Sequence, residues 1–253
     1  MARDVGTQSR ICRGCWDQMH VPIPIRGPLS LPFRLAGISQ SKMNPNICTI
    51  CERAFRRVQK QRHITAEATI LFADIRGFTA LSERIGAASL SDIVGTFQDQ
   101  CARRIWAQDG IVNKQMGDGL MAIFNFPIRN GDHAGAAIRA ALDIQRHCPP
   151  ALAAVLSRLD VAGADTLAVG IGVHSGSVEI GEFSTDHSDY TAIGSTVNLA
   201  ARLESGAGEG EVNVSASAAA LAPDLCRDAT MRALHLKGFD KLVVAHVLRP
   251  DDA

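Results

Sequence analysis

The sequence predicts an α/β domain from Ile64 onward, preceded by a small module rich in proline and cysteine. Three observations carry this reading. Apolar runs of strand length alternate with segments of helical periodicity from Ile64 to the C-terminal region. Five of the ten prolines (Pro22, Pro24, Pro28, Pro32, Pro45) crowd into residues 21–45, which argues against helix or central strand there. That stretch is bracketed by two pairs, Cys12/Cys15 and Cys48/Cys51.

Composition sets the function classes that remain. Of 253 residues, 46% are apolar and 21% charged, which argues against a disordered or fibrous chain. Twenty-six basic residues balance 26 acidic ones, so a general nucleic-acid coat protein is disfavoured and no nucleic-acid partner is expected. No uninterrupted apolar run reaches the roughly 18 residues of a transmembrane helix. MARDVGTQSR lacks the apolar centre of a signal peptide, so the chain is expected to be cytoplasmic. Seven cysteines in that setting suggest thiols or a metal site rather than disulfides.

The elements follow in order. Residues 1–52 form the cysteine module, and 53–65 a basic linker helix within CERAFRRVQKQRH. ATILFAD (68–74) reads as a strand covered on both faces. Residues 79–108 read as helix with a break at Gly86. IVNKQM and LMAIFNF flank Gly117-Asp118-Gly119, a hairpin signal. A helix is expected over 132–147, capped by Asp132 and ended by Pro149-Pro150. TLAVGIGVHSGSVEIGEF suggests a pair of strands, in which Gly172, Gly176 and Gly181 mark turns and close packing rather than a dinucleotide fingerprint. DYTAIGSTVNLAARLE reads as a strand turning into a helix with Ser195 or Thr196 as N-cap, and a last strand pair occupies 231–249.

Several residues in these elements could carry chemistry. Asp74 ends an apolar strand and precedes Ile75-Arg76-Gly77-Phe78-Thr79, a turn into a helix whose backbone N–H groups could meet phosphate. A carboxylate beside such a turn could hold Mg²⁺ on the same phosphates, but Asp74 could equally cap the helix. Asp118 lies at the hairpin tip, where Asp-Gly also suits a tight turn on its own. Together the two acids supply what a two-metal phosphoryl-transfer site needs. Lys114 lies four residues before Asp118; Asn198 and Arg202 share one helix face. An exposed strand lysine, a structural asparagine and a solvated arginine would look the same.

Order and local context resolve these ambiguities. ILFADIRGFT, NKQMGDGLMAIF and DYTAIGSTVNLAARLE together closely resemble the class III nucleotidyl cyclase domain, over roughly residues 66–249. The resemblance implies an α+β sandwich with a ferredoxin-like core and a mainly antiparallel sheet. It implies that Asp74 and Asp118, helped by the carbonyl of Ile75, bind two Mg²⁺ or Mn²⁺. It further implies that Lys114 and Thr191 read the purine, that Asn198 orients the ribose, and that Arg202 stabilises the transition state. Gly77, Phe78 and Thr79 would meet the triphosphate, as would Lys237 in LKGF on a looser match. In this family the metal aspartates come from one protomer and the base readers, Asn and Arg from the other. One chain carrying both half-sets implies a homodimer. Ser195 stands where many relatives have an acid, read as a variation of the helix cap.

Base choice follows from donors and acceptors. Adenine offers an N1 acceptor and an N6 donor; Lys114 only donates and Thr191 can accept, which favours ATP over GTP. The expected function is therefore an adenylate cyclase making cyclic AMP, with a guanylate cyclase or a catalytically silent nucleotide-binding regulator as the alternatives. A diguanylate cyclase is disfavoured because a GGDEF-type signature is missing.

In the N-terminal module the pairs stand 32 residues apart, and Zn²⁺ is the default occupant of four thiolates. Free or redox-active thiols, a disulfide, an iron–sulfur occupant and a nucleic-acid-binding zinc finger are the other readings. His20 and His63 could substitute as ligands, although surface roles suit them better. Cys101, Cys148 and Cys226 have no ligand spacing, and His174 reads as structural.

Overall fold

The computed structural model describes residues 9–53, 64–161, 167–182 and 190–250. Most of the expected linker helix, with His63, lies outside these residues. Among the described residues, eight strands form one sheet. They are β1 (Ile64–Ile75), β2 (Ile111–Met116), β3 (Gly119–Phe124), β4 (Val169–Glu182), β5 (Tyr190–Ile193), β6 (Val212–Ser215), β7 (Thr230–Leu234) and β8 (Val243–Leu248). Their order is β2-β3-β1-β4-β6-β8-β7, with β5 added to the end of β4. Every pairing is antiparallel except β4 with β6, so the expected mainly antiparallel α+β architecture is what is observed.

The helices among the described residues include α1 (Arg13–Met19), α2 (Leu31–Leu35), α3 (Phe78–Ser82), α4 (Ala87–Ala107), α5 (His133–Arg158), α6 (Ser195–Ser205) and α7 (Ala216–Leu221). Alternation along β1 divides its side chains between two cores. Leu71, Ala73 and Ile75 meet Ile93 and Phe97 of α4 and Ile138 and Ile144 of α5. Ile70 and Phe72 lie on the other face with Val178, Ile180 and Ala200 of α6. The strand is thus covered on both sides, as its unbroken apolar run requires. The break at Gly86 also holds, since Gly86 is the N-cap residue of α4.

Several expectations are corrected. Within TLAVGIGVHSGSVEIGEF, Val169–Glu182 is one continuous strand of 14 residues, not a pair. Its glycines mark close packing instead of turns: a Cβ on Gly172 would lie 2.2 Å from the Glu204 nitrogen and 2.4 Å from the Ala200 carbonyl of α6. Helix α5 runs through Pro149 and Pro150 to Arg158. Cys148, Leu152, Val155 and Leu156 continue a helical stripe into the core. Burying three more large side chains contributes roughly 1.5–3 kcal/mol each, comparable to the cost of about 3 kcal/mol for each of the two prolines. Asp132 makes no side-chain cap bond and pairs instead with Arg139 at 2.7 Å.

The N-cap residue of α6 is Gly194, so neither Ser195 nor Thr196 caps it. Ser195 is the first helical residue, and the Thr196 hydroxyl donates to the Ser177 carbonyl at 2.6 Å. The proline-rich stretch does hold a short helix, α2, because Pro32 sits in its first turn, where no backbone N–H is needed. Strand β6 and helix α7 were not anticipated from the pattern.

Candidate active site

Asp74 belongs to the even-numbered side of β1, facing α6, one residue before the strand ends. Its register partners are Gly119 on β3 and Gly170 on β4. Neither neighbour has a side chain, which clears a notch at the strand end. A Cβ on Gly119 would stand 2.9 Å from Asp74 Oδ1, and one on Gly170 would fall 2.0 Å from the Arg76 guanidinium. The β2–β3 turn brings Asp118 to the same place. Gly117 takes the left-handed conformation there (φ 65°), and the Ile75 N–H donates to the Asp118 carbonyl at 3.1 Å.

The electrostatics of this corner are strained in one direction. Burial, reinforced by the charges of Asp118 and Glu204, pushes the Asp74 carboxyl up to about 7. Arg76 opposes this from 3.8 Å and bridges to Glu204 at 2.8 Å. Glu204 is itself pushed upward by burial, against the pull of Arg76. Asp74 does not cap the following helix: the N-cap position of α3 is Gly77 (φ 78°), and no side chain bonds its N–H groups. Phe78 packs its ring against the core, while Gly77 and Thr79 are exposed.

A second group gathers at β2 and β5. Strand β2 carries a register irregularity between Val112 and Lys114, leaving Asn113 out of the ladder. The Thr191 hydroxyl donates to Asn113 Oδ1 at 3.3 Å, which sets Thr191 beside the strand that bears Lys114. Asn198 and Arg202 lie exposed on α6. Ala200 and Leu203 are buried, and Glu204 turns to Arg76. At 100° per residue, Arg202 points roughly 200° away from Glu204. The chain therefore brings Asp74 and Asp118 together, and Thr191 to Asn113 on the strand that bears Lys114, but not Arg202 with the aspartates. Lys237 is exposed in the turn between β7 and β8, at the opposite edge of the sheet from β2 and β3.

Sequence reasoning missed Arg76, Glu204 and Asn113. The first two stand inside quoted motifs, and their charges were the available signal; a bulge at Asn113 leaves no local mark. His174 is structural, as expected: its Nδ1 meets Ser215 Oγ at 2.8 Å, and burial lowers its pKa. Cys101, Cys148 and Cys226 are buried.

The four N-terminal cysteines converge, their sulfurs all within 4.8 Å of one another. Cys12, Cys15 and Cys48 are fully buried and Cys51 is 4% exposed. His20 ends α1, exposed in a left-handed conformation (φ 56°), and is not among the clustered ligand atoms. No helix among the described residues is long and apolar enough to cross a membrane.

Comparison with known proteins identifies the family. The family profile described as "Adenylate and Guanylate cyclase catalytic domain" matches residues 58–248. "Adenylate cyclase 1" of Rhizobium meliloti is 31% identical over 163 residues, covering 64% of this chain and 24% of the relative, so the chain spans about a quarter of that protein's length. The crystal structure of the adenylyl cyclase CyaB from P. aeruginosa superimposes with a TM-score of 0.64 at 29% identity, over 74% of this chain and 96% of that one. The guanylyl cyclase Cya2 gives a TM-score of 0.65 at 28% identity, over 73% and 93%. The chain belongs to the adenylate and guanylate cyclase catalytic-domain family.

Proposed function

We propose that this chain is an adenylate cyclase, converting ATP to 3′,5′-cyclic AMP and pyrophosphate in a homodimer with two composite sites. The observation that carries the reading is the Asp74–Asp118 pair in its glycine-lined notch. Burial and the neighbouring Asp118 charge destabilise the Asp74 carboxylate, and a hard divalent cation relieves both. Asp74, Asp118 and the Ile75 carbonyl would hold two Mg²⁺ or Mn²⁺. When bound, such ions supply Lewis acidity that eases ionisation of the ribose 3′-hydroxyl and neutralise charge on the triphosphate.

The remaining work falls to the chain's own groups. Arg202 presents a planar, permanently charged donor fork to the α-phosphoryl oxygens as the 3′-oxygen bonds phosphorus and pyrophosphate departs. Asn198 orients the ribose. The backbone N–H groups of Gly77, Phe78 and Thr79 meet the triphosphate, with Lys237 as a further cation. Lys114 donates to adenine N1, and Thr191 accepts from N6. The bond from Thr191 to Asn113 supports that assignment, because it uses the hydroxyl proton and leaves lone pairs free to accept.

Exposure of Asn198 and Arg202, on a face of α6 turned from the aspartates, supports completion of each site by a second copy. The test is turnover of ATP, GTP, CTP and UTP with Mg²⁺ or Mn²⁺, beside an Asp74→Ala control, with products identified by mass. Cyclic AMP from ATP, lost in the control, is the expected result. Cyclic GMP as the main product makes the chain a guanylate cyclase. No cyclic product from folded dimer makes it a silent nucleotide-binding regulator.

A further inference from the structure

The cysteine module is more than an appendage, because among the described residues its buried large apolar side chains are Ile25, Ile47 and a borrowed one, Ile128, from the catalytic domain, with Ile23 and Ile38 partly buried against them. The other buried members of that core are the four cysteines. The shortest sulfur contacts run between the two pairs: Cys15 to Cys51 at 3.3 Å, Cys15 to Cys48 at 3.5 Å and Cys12 to Cys51 at 3.6 Å. Four thiolates around one Zn²⁺ stand roughly 3.8 Å apart, given Zn–S bonds of about 2.3 Å. A two-iron cluster would place the pairs on different metals and push them apart, opposite to what is observed. Cys12 Sγ accepts the backbone N–H of Cys15 at 3.4 Å and of Cys48 at 3.1 Å, the pattern of a thiolate acceptor. A Cβ on Gly14 would approach Cys51 Sγ to 3.0 Å, so the turn is shaped around the sulfurs.

This module grips one corner of the catalytic domain, the junction of α4 and β2. Arg13, next to Cys12, pairs with the buried Asp109. The fully buried Asn44 donates through Nδ2 to the Gly110 carbonyl at 2.8 Å. Trp106 Nε1 donates to the Met43 carbonyl at 2.7 Å, and the Val112 N–H donates to the same carbonyl at 3.3 Å. Within the module, the Arg13 N–H donates to the Asn46 carbonyl at 2.9 Å, tying the two halves of the grip together. From this corner β2 runs directly to Asn113 and Lys114.

We infer that Cys12, Cys15, Cys48 and Cys51 bind one Zn²⁺ and that the zinc-folded module is a clamp positioning strand β2 for recognition of the nucleotide base. The metal assignment stands independently; the base-positioning half rests on the cyclase reading above. Arg13 and Asn44 are positioning residues, acting through the α4–β2 corner.

The experiment starts with elemental analysis of the purified full chain, before and after exchange with Co²⁺. One zinc per chain is expected, with the sulfur-to-cobalt charge transfer and intense ligand-field bands of a tetrahedral thiolate site. The double variant Cys48→Ser/Cys51→Ser should lose the metal. No metal, one iron per chain, or two irons with sulfide overturns the zinc assignment. For the clamp, Arg13→Ala and Asn44→Ala should keep one zinc per chain while amide exchange across residues 106–116 quickens. In both variants KM for ATP should rise at least about threefold with kcat held within about twofold. Unchanged exchange and unchanged KM overturn the clamp. If the wild-type chain turns over no nucleotide, the cyclase reading fails, and zinc content and exchange rates alone decide this inference.

Discussion

Asp74 and Gly119 are register partners across β1 and β3, and a Cβ on Gly119 would stand 2.9 Å from the Asp74 carboxylate oxygen. The residue after the hairpin acid is thus kept small by the other acid. Gly119 lies in regular strand without a positive φ, so alanine there carries no backbone strain. Gly119→Ala should therefore fold normally yet displace the Asp74 side chain. We expect kcat to fall by about tenfold or more and the Mn²⁺ concentration for half-maximal rate to rise. Wild-type kinetics in this variant would mean that the notch is not where the aspartates work.

Arg202 faces away from Glu204, and Glu204 is bridged to Arg76 beside Asp74, so one chain does not complete the proposed site. Asp74→Ala and Arg202→Ala should each abolish activity alone. Mixing the two inactive proteins should restore up to about a quarter of wild-type activity, since half the dimers are then mixed and each has one intact site. A mixture as inactive as its components, despite exchange of subunits shown by mass, would remove the composite arrangement.

What the sequence revealed and what it hid have separate physical causes. Asp74, Asp118, Asn198 and Arg202 are ambiguous one by one and become candidates through the order of three motifs that resemble the cyclase family; the structure adds that the two aspartates meet at a strand end and a glycine turn. Glycine is legible in part. Gly172 and Gly176 signal turns and close packing; the turns are absent from the strand they occupy, whereas the packing is real, because α6 presses its backbone and Thr196 against them. Pro149-Pro150 signalled a helix end, but the apolar stripe beyond them offsets the missing hydrogen bonds. Arg76, Glu204 and Asn113 depend on partners about 128 or 78 residues distant, which no local pattern encodes.

In the proposed reading Lys114 and Thr191 set the base preference, with the Thr191 hydroxyl donating to Asn113 Oδ1. Guanine presents an O6 acceptor and an N1–H donor, so it needs an acceptor where Lys114 now donates. Lys114→Glu should lower kcat/KM for ATP by about a hundredfold and raise the GTP-to-ATP ratio by at least about tenfold, from the penalty of unpaired polar groups at the base edge. Equal losses for both nucleotides would assign Lys114 to general charge rather than base reading.

Glu211 offers a pH test away from the site. It is buried, and Arg232 holds it through two hydrogen bonds of 2.7 and 2.9 Å. Arg249 adds one at 2.7 Å and the Gly208 N–H one at 3.0 Å. These partners, Arg232 foremost, draw its carboxyl down from 4.5 to about 2. A carboxyl depressed in the folded state stabilises fully above its unfolded pKa and loses that contribution as pH falls through the folded one. The loss should therefore span pH 4.5 down to about 2 and amount to about 2 kcal/mol, discounted because both arginines are partly exposed. Urea titrations of wild type and Glu211→Gln should differ most at about pH 7, and the difference should shrink steadily below pH 4.5 toward about pH 2. A stability difference that stays constant across this range would show that the ion network does not hold Glu211 ionised, leaving packing as the only role of that side chain.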